Sequence, residues 1–227
     1  MPKPILRIYA FSDAILKQKS DSVAGSMDRD AAEFTIRGVT AATTDDFEAA
    51  STAFGNMDTD EMWIGNVTDA TQAKDELAGS LKSQVRTIRN MAEIKWGTKS
   101  GKYRKYGFDG MDELTDNDLV RLGRRVIKVA TEQQADLATE GFTAATLTAL
   151  TLVVNQFDES VDDKTDAEKS RDIAQQARVE AGNELYTLLD KYCSIGKTIW
   201  FEDPAKFNDY VIYPSGAEEE APANPPV

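Results

Sequence analysis

Residues 140–146 read Glu140-Gly141-Phe142-Thr143-Ala144-Ala145-Thr146, and residues 37–43 read Arg37-Gly38-Val39-Thr40-Ala41-Ala42-Thr43. In both segments the glycine suits the left-handed conformation in which many helices end. The apolar residue that follows is typical of a cap that folds back on the helix, and the threonine is typical of the N-cap of a new helix. Each segment therefore predicts a tight turn between two helices that run antiparallel as a hairpin.

The similarity continues on both sides of these turns, at a separation of 103 residues that becomes 104 farther along the chain. Four upstream positions correspond, and they pair Leu16, Val23, Ala32 and Phe34 with Leu119, Val126, Ala135 and Leu137. Downstream, the corresponding residues include Phe54 and Phe157, Lys74 and Arg178, Leu81 and Leu185, Trp96 and Trp200, and Tyr106 and Tyr210. We interpret this pattern as an internal duplication. The alternative is a chance resemblance between two alanine-rich amphipathic helices.

The composition favours an all-α fold. Hydrophobic residues make up 41% of the chain, which is enough for a buried core, and six of the seven prolines lie near the two ends. We predict internally duplicated long helical hairpins that form an antiparallel four-helix-type bundle. Residues 1–106 form the first hairpin repeat, and residues 112–213 form the second, packed with the first as one bundle. The glycine-rich residues 97–111 are predicted to link the repeats, and residues 214–227 are an acidic, proline-rich tail.

The second and fourth helices of this bundle contain polar interruptions. The second is predicted over residues 41–96, but its helical pattern weakens between residues 58 and 66. The fourth is predicted over residues 144–199, and it is mostly charged between residues 158 and 172. The sequence leaves open whether these two helices are continuous or broken.

Three stretches of the second half carry a family resemblance. They are residues 114–122 (LTDNDLVRL), residues 135–138 (ADLA) with the turn Gly141-Phe142-Thr143, and Asn208-Asp209-Tyr210. On these residues the chain resembles uncharacterised long-helix proteins of the Bacteroidota lineage, over most of its length and most clearly over residues 112–213. The resemblance implies a helical architecture, and it brings no activity and no catalytic residues.

The residue types needed for common catalytic sites are scarce. The chain has no histidine, which is the commonest general base and metal ligand, and its one cysteine, Cys193, is expected in the core. Gly196-Lys197-Thr198 resembles the end of a phosphate loop, but Lys191 stands where that motif requires glycine. An all-carboxylate metal site within the bundle is the remaining alternative. We predict no catalytic, cofactor-binding or metal-binding residues, and no enzymatic activity.

The net charge of −13 opposes general nucleic-acid binding, which needs a basic surface. No run of apolar residues has the length of a membrane span or of a signal peptide. We therefore expect a cytoplasmic protein that binds neither membranes nor nucleic acids.

The segments after Trp96 and Trp200 correspond in position but differ in the sign of their charge. The first carries the basic residues Lys99, Lys102, Arg104 and Lys105, and the second carries the acidic residues Glu202, Asp203 and Asp209. The tail adds Glu218, Glu219 and Glu220. We predict these ten residues as interaction residues, because the basic end of one molecule can meet the acidic end or tail of the next. Such head-to-tail contacts build rings or filaments.

The preferred functional prediction is a non-enzymatic structural or self-assembling protein whose partner is itself, as a homo-oligomer, head-to-tail polymer or lattice. The main alternative is an acidic binding or adaptor module for a basic protein. A nucleic-acid surface with Tyr103 and Tyr106 as stacking groups is opposed by the net charge. The charge difference itself has a simpler alternative, which is independent surface change or a charge pair within one molecule.

Overall fold

The computed structural model of the chain describes residues 5–213, and these residues form helices and turns without a β-strand. The α-helices of this part of the chain are α1 (Asp13–Arg29), α2 (Ala31–Ile36), α3 (Ala41–Gly55), α4 (Asp60–Trp96), α5 (Gly101–Arg104), α6 (Asp116–Glu132), α7 (Gln134–Leu137), α8 (Ala144–Ile199) and α9 (Pro204–Asn208). Short 3-10 helices cover Met111–Glu113 and Ala138–Glu140. The predicted all-α class is confirmed, with long helices that pack against each other.

Both turns predicted from the sequence have the expected geometry. Gly38 and Gly141 take φ values of 81° and 88°, in the region that favours glycine. The amide of Val39 donates to the Phe34 carbonyl at 3.0 Å, and that of Phe142 donates to the Leu137 carbonyl at 3.2 Å. These bonds close the helix ends and bring both apolar caps into buried positions.

The threonine after each turn starts the next helix as predicted. The Thr40 hydroxyl accepts from the Thr43 amide at 3.4 Å, and the Thr143 hydroxyl accepts from the Thr146 amide at 3.2 Å. Each hydroxyl therefore satisfies an amide that has no partner inside the helix. The two turns have matching backbone and side-chain contacts, while the duplication of whole hairpins stays a prediction.

The question of helix continuity has a different answer for each long helix. The second predicted helix is broken between α3 and α4, at residues 56–59, whereas the fourth is one helix of 56 residues, α8. The guanidinium of Arg178 donates to the carbonyls of Met57 at 2.9 Å and Asp58 at 3.4 Å. These contacts give carbonyl groups at the break the partners that a continuous helix would have provided.

The chain forms two compact units whose boundaries differ from those of the predicted repeats. The first unit comprises Met1–Thr59 and Asp172–Val227, of which residues 5–59 and 172–213 are described, and the second comprises Asp60–Arg171. Each unit therefore contains a part of each predicted repeat. The buried apolar side chains also form two clusters, one in each unit.

In the second unit, α4 packs against α6, and α5 packs against the end of α4. Residues 97–111, predicted as a glycine-rich link, contribute four buried side chains to this core: Tyr103, Tyr106, Phe108 and Met111. The rings of Tyr106 and Phe108 stack with centroids 4.9 Å apart. This segment is therefore part of the core of the second unit and not an exposed connection.

In the first unit, α1 packs against α3, and the last part of α8 completes the core. Phe47 of α3 contacts Tyr192 of α8 with ring centroids 5.0 Å apart. Cys193 is fully buried in this cluster, as predicted. Tyr210, after α9, packs against Phe34 with ring centroids 5.6 Å apart, so the C-terminal segment closes one end of the unit.

Candidate interaction surface

The predicted basic residues lie in the link between α4 and α5, on α5 itself and directly after it, in the second unit. Ser100 caps α5 through its hydroxyl, which accepts from the Lys102 amide at 3.2 Å. The side chains of Tyr103 and Tyr106 are 8% and 0% exposed and fix one side of this helical turn in the core. The neighbouring residues Arg104 and Lys105 are consequently exposed.

Two cations near this turn already have partners in their own unit. The Lys102 ammonium pairs with the Asp136 carboxylate and lies 5.4 Å from the centre of the Trp96 ring. The hydrogen bond from Lys102 lowers the pKa of the Asp136 carboxyl. Lys95 donates to the Thr139 hydroxyl at 2.6 Å. Both cations tie this end of the unit to the turn between α6 and α8.

Three of the predicted basic residues remain without a hydrogen bond or ion pair from their side chains within residues 5–213. They are Lys99, Arg104 and Lys105, all exposed, and together we call them the basic turn. The segment from Lys95 to Phe108 contains no aspartate or glutamate. The basic turn is therefore a local positive surface on a strongly acidic protein.

The predicted acidic residues near α9, in the first unit, are mostly engaged. Asp203 caps α9 by accepting from the amides of Ala205 at 3.1 Å and Lys206 at 3.2 Å. Asp209 accepts from Arg29 at 2.7 Å. Glu202 is exposed, and its side chain makes no hydrogen bond or ion pair with the described part of the chain. Glu218, Glu219 and Glu220 lie outside the described residues.

Sequence reasoning missed a buried ionic cluster centred on Asp30. This carboxylate is 1% exposed, and it accepts from Arg29 at 2.7 Å, Tyr210 at 2.9 Å and Lys206 at 3.2 Å. Hydrogen bonding from Arg29 holds the pKa of the Asp30 carboxyl well below its usual range. Asp30 lies between α1 and α2 and ties them to Lys206 of α9 and to Tyr210, two residues after the end of that helix.

The corresponding place in the second unit holds an uncharged pair. Gln133 lies between α6 and α7, and its side-chain oxygen accepts from the Tyr106 hydroxyl at 3.3 Å. Gln133 is 103 positions after Asp30, which is the separation of the two similar halves. The sequence therefore contained the information that these two residues occupy corresponding positions. The ionic cluster itself had no local signal, because Asp30 and Tyr210 are 180 residues apart.

The structure excludes the nucleic-acid role considered for two tyrosines. Tyr103 and Tyr106 are buried in the core of the second unit and cannot stack on bases. The alternative in which these tyrosines act as stacking groups, which the net charge already opposed, is therefore contradicted by their burial. The basic turn that remains consists of two ammonium groups and one guanidinium group, and no aromatic side chain between Lys95 and Phe108 is exposed.

In the described part of the chain, the remaining candidate groups do not form a metal site, a reactive thiol or a phosphate-binding loop. Within residues 5–213 there is no group of three or more His, Cys, Asp or Glu side chains arranged to hold a metal ion. Burial raises the pKa of the Cys193 thiol to about 12, which opposes formation of a reactive thiolate. Gly196-Lys197-Thr198 lies inside α8, with the ring of Tyr210 packed against Gly196, so it does not form a phosphate-binding loop.

One shallow groove of about 620 Å³ lies in the first unit beside the end of α8. Lys197, Phe201 and Phe207 are among its lining residues, and Phe201 is 79% exposed. Among the described helices, none alone is long and apolar enough to cross a membrane; Gln134–Glu140 and Ala144–Ile199, bent by 107°, pass that test only as a pair.

The comparisons with known proteins add no functional information. The sequence matches no protein-family model, and neither a curated protein nor a solved structure is significantly similar to it. The resemblance to long-helix proteins of Bacteroidota therefore stays a prediction.

Proposed function

We propose that this chain is a non-enzymatic structural protein that assembles with copies of itself in a head-to-tail manner. The basic turn of one copy supplies one side of the contact. Acidic groups at the end of the first unit of the next copy supply the other. The observation that carries the proposal is the set of three exposed cations, Lys99, Arg104 and Lys105, that find no anionic partner within residues 5–213.

Charge at corresponding positions supports a contact between unlike surfaces. Where the second unit presents the basic turn, the first unit carries Glu202, Asp203 and Asp209. Of these, Glu202 is the acid without a described partner, so the tail residues Glu218, Glu219 and Glu220 are the other proposed anions. A contact between two different surfaces leaves one of each free on the assembled pair. Such a contact therefore propagates into a ring or a filament.

The strength of this contact follows from its exposure. An exposed ion pair contributes about 0.2–1 kcal/mol to the free energy of association. Three such pairs therefore set the relative orientation of two molecules but add little to their affinity. We therefore expect weak association that grows with protein concentration. Because salt shortens the electrostatic range from about 10 Å at 0.1 M to about 3 Å at 1 M, we also expect dissociation at high salt.

Charge reversal at the basic turn tests the proposal. We expect light scattering to detect assemblies of the wild-type protein at low salt and high protein concentration, and monomers at high salt. The variant K99E/R104E/K105E should stay monomeric at both salt concentrations. The matched control R89E/R125E/K128E changes the net charge equally, at exposed cations of the same unit that also have no ion pair within residues 5–213, and should still assemble. A wild-type protein that stays monomeric at low salt contradicts the proposal and favours the adaptor function.

A further inference from the structure

The first unit is built from two separate parts of the chain. Non-covalent contacts hold these parts together, and the only covalent connection between them runs through the second unit. Residues 5–55, which contain α1, α2 and α3, form what we call the arm. Residues 172–213, which contain the end of α8 and α9, form what we call the dock. The arm leaves the first unit through the four residues 56–59, and the chain returns to the dock only after the whole second unit.

The contact between arm and dock is extensive and specific. At one end, Arg178 of the dock donates to the Asp13 carboxylate at 2.7 Å and lies 5.0 Å from the centre of the Phe54 ring. At the other end, Tyr210 of the dock donates to Asp30. Between them lies the apolar cluster of the first unit, to which the arm contributes Leu16, Met27, Phe34, Phe47 and Phe54.

The second unit repeats this type of contact with segments taken from the other parts of the chain. Lys74 of α4 donates to Asp116 at the start of α6 at 2.8 Å, in the place of the Arg178–Asp13 pair. Lys102 lies over Trp96 as Lys206 lies over Trp200, at 5.4 Å and 3.5 Å from the ring centres. In both units, therefore, the N-terminal part of one predicted repeat packs with the C-terminal part of the other, all within a single chain.

The residues that join the arm to the rest have the character of a hinge. Gly55 ends α3, and Asn56 and Asp58 are poor helix formers, whereas the corresponding part of α8 is continuous helix. If the arm swings out at residues 56–59, the dock of a second copy offers the contacts that residues 5–55 make with their own dock. The bonds from Arg178 to the Met57 and Asp58 carbonyls lie at the pivot itself, so they must break before the arm can exchange. Exchange of an identical element between protomers costs little, because only the hinge conformation and the association entropy differ.

We propose that chains that refold together at high protein concentration exchange arms, so that the arm of one chain occupies the dock of a second copy and exchanged dimers or longer arm-to-dock polymers form. A chain that folds alone keeps its arm in its own dock. This interaction surface is separate from the basic turn. Besides ion pairs such as Arg178 with Asp13, it contains the apolar cluster of the first unit, which salt does not weaken. The partner is a second copy of this chain, because the arm of another copy has the same residues that already fit this dock.

Cross-linking between two differently marked chains tests the proposal. Lys19 of the arm donates to the carbonyl of Ile212 of the dock at 2.7 Å, next to the exposed Tyr213. Full-length K19C and full-length Y213C chains, with tags of different mass, are unfolded together in urea and refolded together at high protein concentration and high salt. A short bismaleimide is then added to the folded protein, in which Cys193 is buried.

We expect a covalent mixed dimer of K19C and Y213C whose yield rises with protein concentration. The same chains refolded separately and then mixed should give little of it, because the arm must detach before it can exchange. The double variant K19C/Y213C, refolded at low concentration, should cross-link within one chain and shows that the two sites are within reach. Wild-type protein, which has only Cys193, should not cross-link.

Changes to the hinge length sharpen the test. Deletion of Asn56 and Asp58 prevents the arm from reaching its own dock and should raise the yield of the mixed dimer. A Gly-Gly-Ser insertion after Asp58 relaxes the hinge and should lower it. If the double variant cross-links within its chain but no co-refolded mixture gives the mixed dimer, the shortened hinge included, the proposal is wrong. That result leaves the salt-sensitive contact of the basic turn untouched.

Discussion

Replacement of Asp30 by asparagine probes the buried ionic cluster of the first unit. Asp30 is 1% exposed, while the side chains of its partners Arg29 and Lys206 are 47% and 35% exposed. A hydrogen bond to a charged group contributes about 1.5–3 kcal/mol. Since both cations regain water when the charge is removed, and asparagine can still accept from Tyr210, we expect D30N to lower the free energy of unfolding by about 2 kcal/mol at pH 7.

The pH dependence of the free energy of unfolding gives a second and more specific prediction for Asp30. The pKa of Asp30 is lower in the folded protein than in the unfolded chain, where it is about 3.9. The unfolded state therefore takes up the proton first, and stability from Asp30 is present above pH ~4 and lost as the pH falls. Between pH 7 and pH 3, this loss amounts to about 1.2 kcal/mol. The difference between wild type and D30N should shrink to about 1 kcal/mol at pH 3.

Urea unfolding followed by circular dichroism at pH 7 and pH 3 measures both quantities. The matched control is D136N, since Lys102 lowers the pKa of Asp136 in the same way but on the surface of the second unit. We expect little change in D136N at either pH. A D30N variant as stable as wild type at pH 7, or a difference that does not shrink at pH 3, would refute the assignment of Asp30 as a buried charged group.

Further predictions concern the turns and the cysteine. G38A and G141A place an alanine at positive φ, so each should lower the free energy of unfolding by about 1–2 kcal/mol in urea titrations. The control G25A lies at an exposed position inside α1 with open space around it and should raise the free energy of unfolding by about 0.5–1 kcal/mol. Equal effects at all three sites would contradict the turn geometry. Cys193 should react with a thiol reagent at pH 8 only after unfolding in urea, because burial raises its pKa to about 12; rapid reaction of the folded protein would show that its surroundings are open.

Local signals account for the features that the sequence predicts well. Gly38 and Gly141 end helices, and Thr40 and Thr143 begin them, through contacts with residues at most five positions away. Such contacts depend on a few adjacent residues, so they can be read directly from the chain. The buried position of Cys193 follows in the same way from the apolar residues beside it.

Distant contacts decide the features that could not be predicted. The polar runs after Phe54 and Phe157 look alike, yet only the first is a break, where Arg178 binds the exposed carbonyls 121 and 120 residues away. The glycines of residues 97–111 suggested a link, although the spacing of Tyr103, Tyr106 and Phe108 was a signal for burial. Composition alone did not separate these two possibilities.

The candidate interaction surface could be predicted only in part, because contacts between residues distant in sequence decide it as well. Lys102 and Asp209 were predicted to bind a partner, but each has an ion-pair partner in its own unit, 34 and 180 residues away in sequence. Charge patterns identify exposed charged segments, but they do not show which charges the fold already pairs. The basic turn is what remains of the predicted basic set after these pairs are removed.

Electron microscopy of the wild-type protein at low salt and high concentration, before and after addition of salt, tests self-assembly most directly. Head-to-tail contact through Lys99, Arg104 and Lys105 predicts rings or filaments of regular repeat that disperse into single particles when salt is added. Dispersed single molecules at low salt, in a sample whose size by sedimentation is that of one chain, would contradict it.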